Sequence, residues 1–137
     1  MAESNVAVVR RLFEHFADGQ LEGALEVLSD DFVAVIPPSL SAEPDVYEGH
    51  DGARRYFAAF DGLMDDVRYE ALEVIEEGDA VIVRLRLVGR GVASGIEVEQ
   101  QAAALHRVEN GKVTRIEAYP DVEAARAALR RAPQADW

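Results

Sequence analysis

Two polar side chains, His106 and Gln100, stand six residues apart in a run rich in alanine, and both suit chemistry on a carbonyl compound. Because side chains alternate across a β-strand, these two residues share one face with Ala102 and Ala104 if the run is extended. A neutral imidazole can act as a base or an acid, so His106 is the candidate catalytic residue, while the Gln100 amide can donate to a ligand oxygen. Two plainer interpretations stay open. His106 can instead lie half exposed at a hairpin end, bonded to Thr114 or water, and Gln100 can simply be a polar residue at a strand bend.

Other polar residues are weaker candidates. Tyr47 and Tyr56 can offer phenolic hydroxyls to a pocket, but a tyrosine on the apolar stripe of a helix is more often a core residue whose hydroxyl reaches the surface. The pairs Asp30-Asp31 and Asp65-Asp66 resemble catalytic carboxylates. Both fall at the ends of predicted elements, where acids commonly stop helices and begin turns.

No metal site and no cofactor are predicted. His15 and His50 are far apart in the order of elements, and no third ligand follows either at helical or hairpin spacing. Cysteine is absent from the sequence, which excludes disulfides and thiolate chemistry.

The composition indicates one globular domain over residues 1–137, with 133–137 as a frayed tail. The net charge of -12, with 14 basic residues scattered among 26 acidic ones, argues against nucleic acid as a partner, because binding phosphates requires clustered Lys and Arg. No apolar run approaches the roughly 18 residues that a membrane span requires, and the N-terminus has no signal-like pattern. We therefore expect a cytoplasmic protein without a membrane partner.

The strongest local signal is Asn110-Gly111, which joins two strand-like runs and predicts a β-hairpin. A plain two-residue turn would place Ala104 opposite the charged Glu117. A type I turn with Gly111 as a left-handed bulge residue avoids this mismatch, and we prefer it. In the preferred register Ala102 pairs with Ala118, Ala104 with Ile116, and His106 with Thr114.

The predicted hairpin has two different faces. The first is small and mostly apolar, so either large side chains from helices fill it or it leaves a cavity. The second face is also partly apolar, and the helices are expected to cover only one face, so we predict a homodimer through it. The predicted interface consists of Leu105, Arg107, Val113, Arg115 and Tyr119, with Arg84 and Arg86 near its rim. Across it these two arginines could meet acids such as Glu97, Glu99 or Glu117, although a solvated face is the simpler interpretation for one protomer.

Helical periodicity marks the N-terminal part of the chain. Ser4 can cap a first helix that Asp18-Gly19 stops, and a short second helix follows. Their apolar stripes are Val6, Val9, Phe13 and Phe16 in the first, and Leu21, Ala24, Leu25 and Leu28 in the second. A third helix begins near Gly49 and turns Ala53, Tyr56, Phe57 and Phe60 inward, with Met64 as a further candidate for this face.

Strand-like segments surround and follow these helices. A short buried strand is predicted at 32–36, and the proline-rich segment 37–48 reads as a lid or pocket rim. After residue 66 the period changes to two, which predicts strands at 67–75 and 81–88 before the hairpin. Asp121 then caps a C-terminal helix at 122–131. Together these elements predict an α+β cone, with three helices packed on a curved, mostly antiparallel sheet and the last helix outside.

Several short motifs occur in an order typical of one family: Asp18-Gly19, then Ala24-Leu25 running to Ser29-Asp30-Asp31-Phe32, Tyr47-Glu-Gly49-His50, and Asn110-Gly111-Lys112-Val113 through Tyr119-Pro-Asp121. The chain resembles the nuclear transport factor 2-like superfamily in its SnoaL-like and ketosteroid isomerase-like branch. The resemblance implies a cone whose wide end opens to a pocket, usually in a homodimer. Functions across this fold include isomerases, polyketide cyclases, epoxide hydrolases, dehydratases and non-catalytic binding or assembly domains.

The resemblance also implies what this chain lacks. Ketosteroid isomerase-like members use a carboxylate base and an oxyanion hole made by a Tyr and a protonated Asp. By order and spacing these positions fall here on Ile36, Phe13 and Ala104, which cannot do that chemistry. The resemblance therefore argues against steroid-type enolisation and for a more apolar pocket.

Two classes of function follow from this sequence. The first is an enzyme of cyclase or isomerase type that acts on a small, largely apolar carbonyl compound through His106. The second is a module that binds such a molecule, or assembles as a homodimer, without catalysis. The predicted ligand-binding residues are Phe13, Phe16, Phe32, Ile36, Tyr56, Phe60, Gln100, Ala102, Ala104 and Ile116.

Overall fold

A computed structural model of the chain describes residues 4–17, 21–36, 45–58 and 64–131. Its elements, in chain order, are α1 (Asn5–Ala17), α2 (Leu21–Leu25), β1 (Leu28–Ile36), β2 (Asp45–Glu48), α3 (Gly49–Ala58), β3 (Met64–Glu77), β4 (Ala80–Gly91), β5 (Glu97–Glu109), β6 (Lys112–Tyr119) and α4 (Val122–Arg131). Phe60, the 133–137 tail and residues 37–44 of the predicted rim lie outside the described residues. None of the described helices is long and apolar enough to cross a membrane.

The helix caps form as the sequence predicts. The backbone N–H of Ala7 donates to Ser4 Oγ at 3.1 Å, and that of Ala124 donates to Asp121 Oδ1 at 2.8 Å. Each contact satisfies one of the backbone donors that the first turn of a helix leaves unpaired. The bounds of α4 agree with the predicted segment 122–131.

Within the described residues, six strands form one curved sheet in the order β2-β1-β6-β5-β4-β3. Four of the five pairings are antiparallel, and β1 pairs with β6 in parallel. The α+β class with a mostly antiparallel sheet is therefore confirmed. Three details differ from the prediction. β2 forms in the segment interpreted as rim, and β1 begins at Leu28, which was predicted on the apolar stripe of the second helix. Met64, a candidate for the inward face of the third helix, is the first residue of β3. Leu28 belongs to the sheet because it pairs with Val113 on β6.

The preferred hairpin register is wrong. Asn110 and Gly111 both have positive φ, 53° and 76°, as a two-residue type I′ turn requires. Glu109 therefore pairs with Lys112, and a bulge at Thr114 then shifts the pairing. Beyond the bulge, Ala104 pairs with Ala118 and His106 pairs with Ile116.

The bulge also changes the face of the sheet on which Val113 lies, so the predicted face is wrong. One extra residue in a strand reverses the alternation of side chains on either side of it. Val113, predicted on the outer face, is fully buried in the inner core. Ala104, His106 and Ile116 stay on the inner face, because the observed register differs from the preferred one by two residues, an even number.

The outer face carries a second, smaller core that α4 covers. Leu105 and Ile82 are buried there with Ala125 of α4, and Tyr119 packs against them. The premise that helices cover only one face of the sheet is therefore wrong, and Leu105 has its cover within the chain. The dimer itself stays a prediction.

Ion pairs occupy the uncovered part of the outer face. Arg84 Nε lies 3.4 Å from Glu73 Oε1, and Arg86 pairs with both Glu70 and Glu99, the latter at 3.2 Å. The sequence suggested acids across an interface as partners for these arginines, Glu99 among them. The structure provides acidic partners within one chain.

Candidate functional site

A cavity of about 100 Å³ lies between the helices and the inner face of the sheet. Nine of the ten predicted ligand-binding residues line it together with His106, while Phe60 lies outside the described residues. Their role in ligand binding stays a prediction. The lining residues are Phe13, Phe16, Leu21, Leu28, Phe32, Ala34, Ile36, Tyr47, Ala53, Tyr56, Tyr69, Leu85, Leu87, Gln100, Ala102, Ala104, His106, Ile116 and Ala118.

The cavity exists because the sheet contributes small side chains where the helices contribute large ones. Ala102 and Ala104 on β5, and Ala118 on β6, form its floor. Phe13 and Phe16 on α1 face this floor without filling the space above it. The alanine-rich run thus leaves a space that bulkier residues would occupy.

Aromatic rings form a continuous chain along the wall. Each neighbour in the chain comes from a different element, except for the two phenylalanines of α1. The successive centroid distances are 5.3 Å for Tyr47–Tyr56, 6.3 Å for Tyr56–Tyr69, 5.6 Å for Tyr69–Phe16, 5.6 Å for Phe16–Phe13 and 5.6 Å for Phe13–His106.

His106 is buried at one end of this chain, with 1% of its surface exposed. Its Nδ1 lies 3.2 Å from the carbonyl oxygen of Val81. A carbonyl only accepts, so this contact favours the tautomer with the proton on Nδ1 and leaves Nε2 as an acceptor. Burial lowers the pKa of His106 to about 4, outweighing the carbonyls of Val81 and Ala104, which favour the charged form. The half-exposed interpretation, with a bond to Thr114, is therefore wrong.

Tyr56 and Tyr69 meet on the wall away from His106. Their hydroxyls form a hydrogen bond, and their rings stack with an interplanar angle of 22°. Burial raises the pKa of Tyr56 above its ordinary value, so its hydroxyl keeps its proton at neutral pH. The Tyr56 hydroxyl thus points to the interior, and the interpretation that it reaches the surface is wrong.

The sequence analysis missed Tyr69. It lies on β3 opposite Leu87 of β4, and Leu87 lies opposite Gln100 of β5. Tyr69 and Gln100 therefore occupy one cross-strand row on the inner face, two strands apart, which is about 10 Å between their backbones. His106 lies six residues from Gln100, about 20 Å along an extended strand. The cavity thus has polar groups at two ends and an apolar middle.

None of the described lining residues is an acid, a lysine or an arginine. Asp30, Asp31, Asp65 and Asp66 are all exposed. Asp65 and Asp66 lie at the start of β3, but Asp30 and Asp31 lie within β1, so the interpretation that they end an element is wrong for this pair. His50 Nε2 lies 3.0 Å from the Leu28 carbonyl oxygen. Among the described residues, no three potential ligands form a group that could hold a metal ion.

Comparison with known proteins gives a consistent family. A family model described as a SnoaL-like domain matches residues 9–116. A structure from Jannaschia sp. CCS1, provisionally named a SnoaL-like polyketide cyclase, is 26% identical with a TM-score of 0.66, covering 91% of this chain and 90% of that one. No curated protein matches the chain.

Two further structures are similar in fold. An NTF2-like protein of unknown function from Burkholderia pseudomallei is 23% identical with a TM-score of 0.75, covering 90% of this chain and 95% of that one. A protein with a ketosteroid isomerase-like fold from Catenulispora acidiphila, in complex with trimethylamine, is 13% identical with a TM-score of 0.72, and the match covers 88% of each chain.

Proposed function

From membership of the SnoaL-like domain family, to which this chain belongs, we propose that the protein binds a small, largely apolar carbonyl compound in its cavity. The observation that carries the proposal is the cavity left above Ala102 and Ala104, whose described wall is aromatic or aliphatic almost throughout. Transfer of apolar ligand surface from water into such a site supplies the main driving force for binding.

The size of the cavity limits the ligand. A cavity of about 150 Å³ lined by Leu, Ile and Phe accepts benzene. With about 100 Å³, this cavity suits a compound of about one ring, or the end of a longer molecule. A complete steroid skeleton exceeds this space, which agrees with the absence of isomerase groups at Phe13, Ile36 and Ala104.

The polar groups of the wall favour binding over proton transfer. General acid–base catalysis works best when the pKa of the catalytic group is near the working pH. Burial places the pKa of His106 at about 4 and that of Tyr56 above its ordinary value, so each lies far from neutrality. At neutral pH both groups are therefore uncharged, which is compatible with an apolar ligand beside them.

Catalysis is the second candidate, and one observation favours it. The contact from His106 Nδ1 to the Val81 carbonyl leaves Nε2 unprotonated at neutral pH. Nε2 is then able to take a proton from a carbon beside a carbonyl group, as a cyclase or isomerase requires. The Jannaschia structure carries the provisional name of a polyketide cyclase, which is consistent with this candidate.

Native mass spectrometry of protein purified from its host tests the proposal first, because a retained ligand identifies the compound class. Binding of that compound is then measured for the wild type, His106→Asn and Ala104→Leu, the last of which fills the cavity. We expect Ala104→Leu to lose at least tenfold in affinity. Unchanged affinity in Ala104→Leu would show that the ligand lies elsewhere.

Turnover of the same compound separates the two candidates. Loss of turnover in His106→Asn with retained affinity supports catalysis. Binding without any turnover in the wild type supports the binding module. Equal turnover in the wild type and His106→Asn removes His106 from the chemistry.

A further inference from the structure

We propose that His106 accepts a hydrogen bond from the ligand, so that the bound compound carries one neutral hydroxyl group, as an alcohol, a phenol or an enolised carbonyl compound does. The rest of the ligand is apolar, in keeping with the wall of the cavity. This inference rests on the proposed function, since it concerns the ligand of the same cavity.

The imidazole of His106 is held in place at one of its two nitrogens. Nδ1, the nitrogen nearer to the backbone, lies 3.2 Å from the carbonyl oxygen of Val81 on the neighbouring strand β4. The ring of Phe13 on α1 packs against the imidazole, with centroids 5.6 Å apart and an interplanar angle of 72°. Two contacts from separate elements thus fix the ring before a ligand arrives. Nε2 lies at the far edge of this ring, which lines the cavity.

The acceptor nitrogen of this imidazole has no donor among the described residues. A neutral imidazole carries one N–H donor and one acceptor nitrogen. The polar groups of the described chain that act on the ring are the carbonyls of Val81 and Ala104, and a carbonyl oxygen cannot donate. The N–H therefore has its partner within the chain, whereas the lone pair of Nε2 is left for a donor that the ligand supplies.

The surroundings of His106 make this lone pair selective. Burial lowers the pKa of His106 to about 4, so at neutral pH the ring is uncharged and Nε2 keeps its lone pair. Phe13 and Ala104 beside it are buried, whereas Gln100 at the other end of the cavity is half-buried. A hydrogen bond made in apolar surroundings has little competition from water, so it distinguishes ligands by whether they offer a donor.

The rest of the wall decides which kind of donor suits the site. None of the described lining residues is an acid, so an ammonium group that donated to Nε2 would lose its hydration without gaining an anionic partner. A hydroxyl group is a neutral donor and avoids this cost. A carbonyl oxygen at the same position would face the lone pair of Nε2 with its own. We therefore expect the ligand hydroxyl beside His106 and the apolar remainder over Ala104 and Ala102.

Three one-ring probes test the inference: phenol, toluene and anisole. Toluene replaces the hydroxyl of phenol by a methyl group of similar size, and anisole keeps the oxygen but has no hydrogen to donate. Affinities are measured by NMR titration of the Ala102 and Ala104 methyl groups. The proteins compared are the wild type, His106→Leu and Gln101→Leu. Gln101 is the matched control because it is a polar residue of the same strand that is exposed and does not line the cavity.

The ratio of phenol affinity to toluene affinity is the informative quantity, because a general change in the cavity affects both probes. We expect this ratio to fall about two- to tenfold in His106→Leu, the range that one hydrogen bond supplies, and to stay unchanged in Gln101→Leu. The ratio of anisole affinity to toluene affinity should not fall in either variant.

The ¹⁵N resonance of His106 Nε2 gives a second measurement, which uses the wild type and so does not depend on the folding of a variant. Donation of a hydrogen bond to an unprotonated imidazole nitrogen moves its resonance upfield. We expect phenol to produce this shift, and toluene and anisole to leave the resonance in place.

The outcomes separate this inference from the proposed function. An Nε2 resonance that phenol leaves in place while the alanine methyl groups shift overturns the role of His106 but leaves an apolar binding cavity. A ratio of phenol to toluene affinity that folded His106→Leu does not lower also overturns it, as does a proton on Nε2 of the wild type without ligand. Failure of all three probes to shift the alanine methyl groups counts against the proposed function itself.

Discussion

His106 on β5 lies directly opposite Val81 on β4, and its Nδ1 is 3.2 Å from the carbonyl oxygen of Val81. The imidazole is thus fixed by the neighbouring strand and buried among apolar side chains. A neutral ring is compatible with this position, but a charged ring would be poorly solvated there. The pair therefore links the protonation of one residue to the stability of the whole fold.

We expect stability to fall below pH 6.5 because of His106. Its pKa is about 4 in the folded chain and about 6.5 when unfolded, so between these values only the unfolded chain binds the proton. The contribution is complete above pH 6.5 and is lost as the pH falls towards 4. Linkage gives a loss of about 2 kcal/mol in the free energy of unfolding between pH 7.5 and 5.

Urea unfolding at both pH values measures this loss, with His106→Asn as the control. The asparagine amide can donate to the Val81 carbonyl but does not titrate. The pH-dependent loss should be about 2 kcal/mol smaller in the variant, because all other groups contribute equally to both proteins. Equal losses in the two proteins would contradict a buried, neutral His106.

The faces of the hairpin were predictable, although its register was not. Alternation alone places Ala104, His106 and Ile116 together, and it survives any shift of two residues. The side of Val113 was not predictable, because it depends on the bulge at Thr114. A bulge is set by the fit of neighbouring strands as well as by local sequence, and here β1 pairs with Val113 from the other side.

The cavity was partly predictable, and the tyrosine pair was not. Small residues on a strand face opposite large residues on helices indicate unfilled space. Tyr69 belongs to a strand whose alternation is broken by bulges, at 65–68 and at 71–73, so its face could not be assigned from the pattern. Its contact with Tyr56 joins β3 to α3, and the spacing of residues along the chain does not predict a contact between two separate elements.

A leucine that extends into the cavity should have little effect on stability, whereas a leucine at the adjacent, tightly packed position should be destabilising. Ala104 faces the cavity, and Ala103, the next residue, is fully buried under the outer core. We expect Ala104→Leu to change the free energy of unfolding by less than about 1 kcal/mol, because the added atoms enter empty space. Ala103→Leu should cost about 1–3 kcal/mol through overpacking.

Thermal and urea unfolding of the two leucine variants provide the measurement. The substitutions add the same atoms one residue apart, so strand propensity is matched. A larger loss in Ala104→Leu than in Ala103→Leu would show that the cavity collapses in solution.

Docking of α4 should depend on its N-terminal cap. Asp121 Oδ1 accepts a hydrogen bond from the Ala124 N–H at 2.8 Å, and α4 covers Ile82 and Leu105. We expect Asp121→Ala to reduce the free energy of unfolding by about 1 kcal/mol, and Asp121→Ser, which keeps a capping oxygen, to restore most of it. Amide hydrogen exchange on α4 should quicken in the alanine variant alone. Equal amide exchange rates on α4 in the alanine and serine variants would show that the cap does not stabilise the helix.

The outer face of the sheet should join two copies of the chain. Arg107 and Arg115 lie directly opposite each other on β5 and β6, and like charges in this position are destabilising. Glu117 receives a hydrogen bond from Arg115 at 2.6 Å. An acid from a second copy would complete the compensation.

We therefore expect light scattering at micromolar concentration to give twice the chain mass of 15.0 kDa. In the Arg107→Glu variant, the new carboxylate can pair with Arg115 of the same chain, so an acid from a second copy is no longer needed. This substitution should therefore shift the mass towards 15.0 kDa. The same substitution at Arg10, which is exposed on α1, should not. A wild type that remains at the mass of one chain over the whole concentration range would rule out this interface.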